Sequence, residues 1–381
     1  MQASDIWCNK LQKVKINSIL YYFSFLCSVI ALGIIPSACS KAPIREKIVG
    51  QDTTQAVTYA NGIFIVNEGN YNWGNASVTY VDNDNNTVIQ DIFTKSNDHS
   101  LGDVAESMTI IDSVGYLLIN NSNRIEVVSL RNFKSLAAIS GLHSPRYLQV
   151  IDSKKAYVTN LYNYISIIDL ETNSSTGTIT TNAWTENLIM YDKFMLVATI
   201  GNFNLPSSQR KAQIMVIDTE TDLIVGSIQS GKEPMGIVMD KDQIVWVLCS
   251  GGYDNFEAPS LLKINPEFRM VEKVFTFPDS KNIPSRLCIN PTRDTLYYLK
   301  GGVYQMPVSS GELPIKPLIN PDGRRFYGLN IHPTTGRIYV SDAKDYVQNG
   351  TAYQYSVNGE LLKQYTTGRI PGSFWFTKNS H

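Results

Sequence analysis

The sequence predicts an all-β fold, a seven-bladed β-propeller in which each blade is a four-stranded antiparallel sheet. Three observations predict it. Short apolar or alternating runs recur between clusters of Asn, Asp, Gly and Ser, which is typical of antiparallel strands joined by turns. One unit repeats at intervals of 40 to 50 residues, the length of a propeller blade. Helical periodicity is nearly absent after residue 39, so strands must supply the core.

The repeat is clearest in the first strand of each unit, which follows a turn and often begins with proline. Seven copies occur, and they begin at Ala105, Pro145, Thr185, Pro234, Pro284, Phe326 and Pro371. A second signal, a strand of the type ISIID, also recurs seven times, from SVTYVD at residues 77–82 to AYQYSV at residues 352–357. Seven copies of each signal predict seven blades.

The two ends of the repeat predict how the ring closes. The first unit begins at Gly62 (GIFIVNEG) without an innermost strand before it, and the last copy, residues 371–376, has no further strands after it. We therefore expect the C-terminal strand to complete the first blade, which leaves no open sheet edge. The predicted propeller spans residues 57–377, and a short tail, residues 378–381, follows it.

A targeting segment precedes the predicted propeller. Basic residues precede an apolar segment at residues 19–35, and two small residues then lead to Cys39. This order is typical of a signal peptide, and a cysteine at that point is similar to a bacterial lipobox. We predict a lipoprotein signal peptide over residues 1–38, lipidation of Cys39 and a lipid-anchored tether over residues 39–56. An uncleaved membrane anchor is the alternative.

The loops of the predicted blades differ between the two faces of the ring. The connections from second to third strands combine Tyr, Trp or Phe with Asn or Gly, as in NEGNYNWGNA, NLYNY and SGGYDNFEAP. The turns predicted for the opposite face, such as DNDNNT and ETNSST, are polar. Loops on a rigid scaffold commonly carry binding residues, and aromatic rings with amide neighbours suit a large, partly planar ligand. We therefore predict a ligand-binding face on the aromatic side.

Arginines of the fourth-to-first connections add positive charge near the channel mouth, where they would suit phosphate or carboxylate groups. Packing between blades is the alternative for any single aromatic residue, and pairing with an acidic residue of a neighbouring blade is the alternative for the arginines. The predicted ligand-binding residues are Tyr71, Trp73, Asn75, Asn123, Arg146, Tyr162, Trp184, Phe203, Tyr253, Asp254, Arg286, Arg325, Tyr327 and Tyr346.

The sequence favours binding over catalysis. Its four histidines are scattered without metal-ligand spacing, and no GxSxG nucleophile context occurs. Asp103 and Glu106 are the nearest carboxylate pair on the predicted face, and we expect no catalytic role for them. We expect no metal site, no cofactor and, at a formal net charge of −1, no nucleic-acid partner. A propeller lyase or hydrolase is the alternative, and it would require carboxylates or histidines clustered at the channel.

Five stretches resemble the YncE-like propellers found as surface lipoproteins in Bacteroidetes. They read FIVNEGNYNWGNASVTYVD, SLGDVAESM, NNSNRIEVVSL, SPRYLQVI and KAYVTNLYNYISIIDL. The best understood branch of that group is the cobalamin-binding BtuG family, which the sequence resembles. The resemblance implies that the protein captures vitamin B12 or another corrinoid on the loop face and passes it to a TonB-dependent outer-membrane transporter. The corrinoid would be transported cargo, not a cofactor.

Alternatives to this interpretation remain at two points. Haem, a glycan or a protein partner would also suit aromatic, amide and arginine side chains. The resemblance implies a location at the cell surface, in the outer membrane. The run after Cys39 (SKAPIREK) departs from the acidic display signal of the family, so a periplasm-facing lipoprotein is the alternative.

Overall fold

Antiparallel strands build the whole architecture. The computed structural model describes residue 59 and residues 61–202, 204–206, 209–252, 257–278 and 282–377. Among these residues the strands form seven sheets. The first strand of each sheet lies against the first strand of the next, and the last sheet lies against the first in the same way. The sheets therefore form a closed ring around a central channel, which confirms the predicted seven-bladed β-propeller.

The innermost strands begin at or beside the residues that mark the repeat in the sequence. They are β4 (Ala105–Ile111), β8 (Pro145–Val150), β12 (Trp184–Tyr191), β16 (Pro234–Met239), β20 (Ser285–Ile289), β23 (Phe326–Ile331) and β27 (Pro371–Phe376). Five of the seven begin at the predicted residue. The other two, β12 and β20, begin one residue earlier and one residue later.

The remaining strands follow in order from the channel outwards. The second strands are β1 (Gly62–Asn67), β5 (Val114–Ile119), β9 (Lys155–Asn160), β13 (Phe194–Gly201), β17 (Val245–Cys249), β21 (Thr295–Lys300) and β24 (Ile338–Asp342). The third strands are β2 (Ser77–Asp82), β6 (Arg124–Ser129), β10 (Tyr164–Asp169), β14 (Gln213–Asp218), β18 (Ser260–Asn265), β22 (Gly302–Pro307) and β25 (Asn349–Tyr355).

The outermost strands are shorter or more exposed. They are β3 (Val88–Ile89), β7 (Ser135–Ile139), β11 (Ser174–Thr180), β15 (Leu223–Gln229), β19 (Met270–Thr276) and β26 (Leu361–Arg369). In the sixth blade a single antiparallel bridge between Val303 and Ile319 takes the outermost place. A short helix, α1 (Ile92–Asn97), follows β3.

The core of the described residues consists of seven apolar clusters, one between each pair of neighbouring blades. The strand β1 shows how one strand supplies two clusters. Ile63 and Ile65 join the cluster with Tyr339 of the seventh blade. Phe64 and Val66, on the other side of the strand, join the cluster shared with the second blade. Side chains alternate between the two faces of a strand. A strand whose two faces both pack against neighbouring blades therefore needs apolar residues at successive positions.

The C-terminal strand closes the ring as predicted. It pairs antiparallel with β1, so that Phe374 lies opposite Ile65 and Ser373 lies opposite Val66. Phe374 is 1% exposed, and its ring centroid lies 5.8 Å from that of Tyr339 in the seventh blade. The first blade therefore contains both ends of the propeller.

The targeting predictions fall on other parts of the chain. The predicted signal peptide (1–38), the lipidation site Cys39, the tether (39–56) and the tail (378–381) lie outside the described residues. Within the described part of the chain, no helix is long and apolar enough to span a membrane.

Replacement of Phe374 by alanine should weaken the closure of the ring. Truncation of a buried phenylalanine typically lowers the free energy of unfolding by about 3–5 kcal/mol. Leu361→Ala on β26 is the matched control, because Leu361 is 48% exposed and exposed truncations usually stay within about 0.5 kcal/mol. Urea denaturation, followed by circular dichroism, measures the free energy of unfolding of both variants. Equal losses in the two variants would show that β27 does not secure the ring.

Candidate functional site

The innermost strands share one position that the sheets leave unpaired. In each of the seven sheets, the pairing between first and second strand skips this residue, which lies in a β-bulge. Bulges re-aim side chains and are common beside functional sites. From the first blade to the seventh, the residues are Gly372, Glu106, Arg146, Glu186, Met235, Arg286 and Tyr327. We call this set the channel ring.

A left-handed residue precedes four of these bulges. Val104, Ser144, Glu233 and Ile370 lie two positions before a residue of the channel ring, with φ of 57°, 49°, 50° and 54°. Valine and isoleucine rarely adopt this conformation, so other contacts must hold the turn. The carbonyl oxygen of each accepts a backbone hydrogen bond from beyond the second strand; for Ile370 the donor is Glu68 N, at 2.9 Å. Strained backbone held in this way often fixes the geometry of a site.

The channel ring alternates acid and base over three neighbouring blades. Arg146 of the third blade forms ion pairs with Glu106 of the second and with Glu186 of the fourth, where Nη2 lies 3.1 Å from Oε1. The Tyr147 hydroxyl donates to Glu106 at 3.4 Å. The side chains of Glu106, Glu186 and Arg146 are 5%, 2% and 11% exposed. A buried guanidinium needs such partners, because an unpaired charge is costly away from water.

Glu68 takes the place of the side chain that the first blade lacks. A Cβ atom on Gly372 would collide with the Glu68 carboxylate, so a larger residue there would displace that carboxylate from its present position. The Tyr327 hydroxyl donates to Glu68 Oε2 at 2.7 Å, and Arg286 Nη2 lies 3.2 Å from Oε1. The Arg286 guanidinium also lies 5.1 Å from the centroid of the Tyr327 ring. The sixth, seventh and first blades are thus joined by one charged cluster.

Two of these carboxyl groups have pKa values far above the usual range. Burial is the main cause for Glu68, the adjacent Glu106 adds to it, Arg286 opposes it, and the pKa rises to about 7. Burial also raises the pKa of Glu186 to about 7, against the favourable charge of Arg146. Three carboxyl groups face two guanidinium groups in this cluster. When all five groups are ionised, the cluster has one unbalanced negative charge. One of its carboxyl groups therefore takes up a proton readily near neutral pH.

The loops around the channel mouth are tied to one another. Asn70 Nδ2 of the first blade donates to the Tyr346 carbonyl oxygen of the seventh at 2.6 Å. The backbone N–H of Asn72 donates to Asp103 of the second blade at 2.8 Å, and Asn121 bonds to both Asn72 and Asp103. These bonds hold the connections of three blades as one surface. We call the second-to-third and fourth-to-first connections together the loop face.

Two predicted contact residues are prominent on the loop face. Trp73 is 64% exposed and Tyr162 is 50% exposed. The His143 ring lies beside Tyr162, with the centroids 5.1 Å apart. On the opposite face, formed by the first-to-second and third-to-fourth turns, Phe268 is an exposed aromatic residue at 68%. We call that side the turn face.

A third predicted aromatic residue connects the loops to the channel ring. The Tyr346 ring lies 5.8 Å from Tyr327 in an edge-to-face arrangement, and the Arg325 guanidinium lies 5.2 Å from the Tyr346 ring centroid. Arg325 is exposed and forms no ion pair among the residues that the structure describes. By contrast, Arg146 and Arg286 are engaged with glutamates. Of these three predicted arginines, Arg325 is therefore the one without a carboxylate partner in the described part of the chain.

The two predicted asparagines act within the loops. Asn75 Oδ1 accepts a hydrogen bond from Asn70 N at 2.7 Å, and Asn123 Oδ1 accepts one from Ser144 N at 2.9 Å. Short polar side chains commonly stabilise turns in this way. Their amides thus help to hold the loop face in shape.

The remaining predicted residues differ in position. Tyr71 is partly buried in the connection from β1 to β2, and Trp184 is partly buried at the start of β12. Phe203, Tyr253 and Asp254 lie outside the described residues.

The predicted set omits the three glutamates of the charged cluster. The sequence indicates Glu106 only as a neighbour of Asp103, whose carboxylate connects the loops. A signal for two of them exists in the repeat. Each residue of the channel ring stands two places before an apolar residue, as in E-S-M, R-Y-L and E-N-L. Glu68 has no such signal, because it follows a second strand and enters the ring only after closure.

Comparisons with known proteins agree on the fold. The model of a family described as "Domain of unknown function (DUF5074)" matches residues 61–377. No curated protein matches the sequence. A quinonprotein alcohol dehydrogenase-like protein from Bacteroides thetaiotaomicron VPI-5482 has 18% identity and a TM-score of 0.66, over 84% of this chain and 79% of that one.

Two further solved structures are similar. A functionally unknown protein from Desulfotomaculum acetoxidans DSM 771 has 14% identity and a TM-score of 0.60, over 83% of this chain and 98% of that one. Dihydro-heme d1 dehydrogenase NirN, in complex with DHE, has 10% identity and a TM-score of 0.56, over 87% of this chain and 78% of that one. At such identities these structures share the fold alone.

The variant Glu186→Gln should reduce the pH dependence of stability. With a folded-state pKa of about 7, above the usual 4.5, the folded protein holds a proton that the unfolded chain releases between these values. The resulting stability is complete below pH 4.5 and is lost as the pH rises through 7. Between about pH 5 and pH 8, we expect the change in unfolding free energy to shrink by about 2 kcal/mol in the variant.

Urea denaturation at both pH values measures this difference. Burial lowers the pKa of His332, which acts in the opposite direction, but that contribution is common to all variants and cancels. Glu171→Gln, on an exposed turn of the third blade, is the control. The same pH dependence in the wild type and in Glu186→Gln would contradict a proton-binding carboxyl in the channel ring.

Proposed function

The chain belongs to the DUF5074 family, and we propose that it is a cell-surface ligand-capture lipoprotein that binds a corrinoid such as cobalamin on its loop face. The main support is the exposure of Trp73 and Tyr162 on loops with fixed backbones. Trp73 N donates to Asn70 O at 3.0 Å, and Leu161 N, beside Tyr162, donates to Ser144 O at 3.0 Å. An aromatic side chain on an ordered loop loses little conformational entropy when a ligand stacks on its ring. Less of the favourable contact energy is then offset by that loss, so the affinity is higher.

The channel ring favours a ligand that lies across the mouth over one that enters the channel. Its ion pairs already satisfy Arg146 and Arg286. A ligand group inserted between them would break a buried pair, and removal of one partner from such a pair typically costs about 3–5 kcal/mol. A broad, flat ligand avoids this cost because it contacts the surrounding loops.

A corrinoid has the chemistry that this surface would bind. Its macrocycle is broad and largely planar, which suits the exposed rings of Trp73 and Tyr162. Its nucleotide arm contains a phosphate, and Arg325 offers a guanidinium without a carboxylate partner among the described residues. The resemblance to the BtuG family favours a corrinoid over haem or a glycan.

The N-terminal sequence supports an anchored location. We place the lipid on Cys39, after the basic and apolar segments that are typical of an export signal, and the propeller at the outer membrane facing outwards. A periplasm-facing lipoprotein is the alternative. The bound corrinoid would pass to a TonB-dependent transporter, which is the proposed protein partner. Cobalamin is cargo in this scheme, so no resident cofactor is needed.

A protein-interaction module is the second candidate function, since exposed Trp and Tyr are also enriched at protein interfaces. A lyase or hydrolase is a third, because carboxylates do cluster at the channel. Yet Glu68, Glu106 and Glu186 are bonded to arginine or tyrosine, and their side chains are at most 9% exposed. We therefore assign the cluster a positioning role between blades and not acid–base chemistry.

The variants Trp73→Ala and Tyr162→Ala should each weaken cyanocobalamin binding. Loss of one stacking ring at the centre of an interface commonly costs more than about 1 kcal/mol, or about tenfold in Kd for a strong contact. Isothermal titration calorimetry of the full-length chain measures the affinity. Phe268→Ala is the matched control, because Phe268 is equally exposed but lies on the turn face. Absence of cyanocobalamin binding at micromolar concentrations would refute the corrinoid proposal.

The variant Arg325→Gln should lower the affinity for cyanocobalamin by about tenfold, since a charge-assisted hydrogen bond contributes about 1.5–3 kcal/mol. Affinity for cobinamide should stay unchanged, because cobinamide lacks the phosphate-bearing nucleotide arm. Arg131→Gln removes the same charge from the turn face and is the control. Equal losses for both corrinoids would place Arg325 away from the phosphate.

A further inference from the structure

A cavity of about 310 Å³ opens on the turn face, between the seventh and first blades. The turn from β2 to β3 and the turn from β23 to β24 form its rim, and residues of β24, β25 and β26 form its wall. It contains no residue of the channel ring or of the loop face. Its volume lies at the lower end of the range of about 300–1,000 Å³ that small-molecule pockets occupy, so it suits a ligand much smaller than a corrinoid.

The lining has more positive than negative charge. Arg337 is exposed and forms no ion pair among the described residues. The Lys363 ammonium bonds to the amide oxygen of Asn86 and not to a carboxylate. Asp84 is the carboxylate among the lining residues, and it accepts a hydrogen bond from Asn61 at 2.7 Å. Two cations therefore face one anion that is already engaged with an amide.

A buried hydrogen-bond chain ends at the wall of the cavity. The Tyr365 hydroxyl donates to Gln354 Oε1 at 3.0 Å. The Gln354 side chain also hydrogen-bonds with the Tyr339 hydroxyl, whose pKa is raised by burial. All three residues are less than a tenth exposed. All three side chains line the cavity, and a tyrosine hydroxyl can donate a hydrogen bond to a ligand oxygen or accept one from a ligand hydroxyl.

His332 adds a neutral hydrogen-bond donor. Its Nδ1 accepts hydrogen bonds from the backbone N–H groups of Thr334 and Thr335, each at 3.2 Å. Burial, together with the charge of Arg337, lowers the pKa of His332, so the ring is neutral at neutral pH. Since Nδ1 is the acceptor, the proton is on Nε2, which can donate.

We propose that this cavity is a second binding site, for a monosaccharide-sized anion that combines hydroxyl groups with one carboxylate or phosphate. Arg337 and Lys363 bind the anionic group. His332 donates to its oxygen atoms, and the Tyr339 hydroxyl and the amides of Asn61 and Asn86 are partners for its hydroxyl groups. The site exists only in the closed ring, because His332 packs on Phe376 of the closing strand with ring centroids 4.7 Å apart.

Calorimetry of the full-length chain with D-glucuronate and glucose 6-phosphate tests the proposal. We expect at least one of the two to bind and to raise the melting temperature, as a ligand of the folded state must. The compound that binds more tightly shows whether the site prefers a carboxylate or a phosphate. Glucose and glucosamine are the neutral and cationic comparisons, and we expect neither to bind. Binding of glucose as tight as that of the anions would overturn the role of the cations.

Arg337→Gln and Lys363→Gln should each weaken binding by about tenfold, the loss expected for one charge-assisted hydrogen bond. Lys241→Gln is the control, since Lys241 is an exposed lysine on the turn face outside the cavity. Cyanocobalamin binding should be the same in all three variants. The experiment therefore tests the proposed anion site independently of the proposed corrinoid site on the loop face. No binding of either anion up to about 10 mM, a concentration that detects even millimolar affinity, would overturn the proposal.

Discussion

Pairing between β27 and β1 joins the last strand of the fold to the first blade, with Phe374 opposite Ile65. Features on both faces depend on this register. It places Gly372 beside the Glu68 carboxylate at the channel, and it sets the seventh blade against the first, where the turn-face cavity forms. A slip of one residue would turn Phe374 away from the core and would replace Gly372 by a residue with a side chain. Core packing and the channel cluster therefore select the same register, although they involve different atoms.

The channel cluster shows what buried charge can contribute to such a fold. Burying an ion pair often adds little net stability, because the loss of hydration offsets the attraction. The buried ion pairs have a larger effect on how the blades must be arranged. Arg146 can satisfy its guanidinium only when the second, third and fourth blades are in place, and Arg286 needs the first and seventh. Burial, together with the adjacent Glu106 carboxylate, raises the pKa of Glu68 and Glu186 to about 7, so a proton on one of them completes the charge balance. We interpret the cluster as a device that positions blades.

Much of the fold could be predicted from local patterns, because each blade repeats the same strands and turns. The seven first strands, the seven third strands and the closing strand are all marked by residues within a few positions of where they lie. The site was harder. The repeat predicts Arg146 and Arg286 near the channel mouth, but their partners come from other blades, so the sequence leaves open whether they are paired. The amide groups of Asn75 and Asn123 are of a type that could bind a ligand, but in the folded loops their oxygen atoms accept hydrogen bonds from backbone N–H groups. Glu68 could not be found, since its place depends on a glycine at the opposite end of the chain.

One physical criterion separates the residues that hold the propeller together from those proposed to bind ligands. A cation with a carboxylate partner has little left to offer, because a ligand must first replace that partner. Arg146 and Arg286 belong to this class. Arg325 on the loop face, and Arg337 with Lys363 on the turn face, form no ion pair among the described residues, and each lies beside aromatic or amide groups. The same criterion explains why the channel, despite its concentration of charge, is the weaker candidate for a binding site. Its charges neutralise one another, whereas these three cations on the two faces have no carboxylate partner within the described part of the chain.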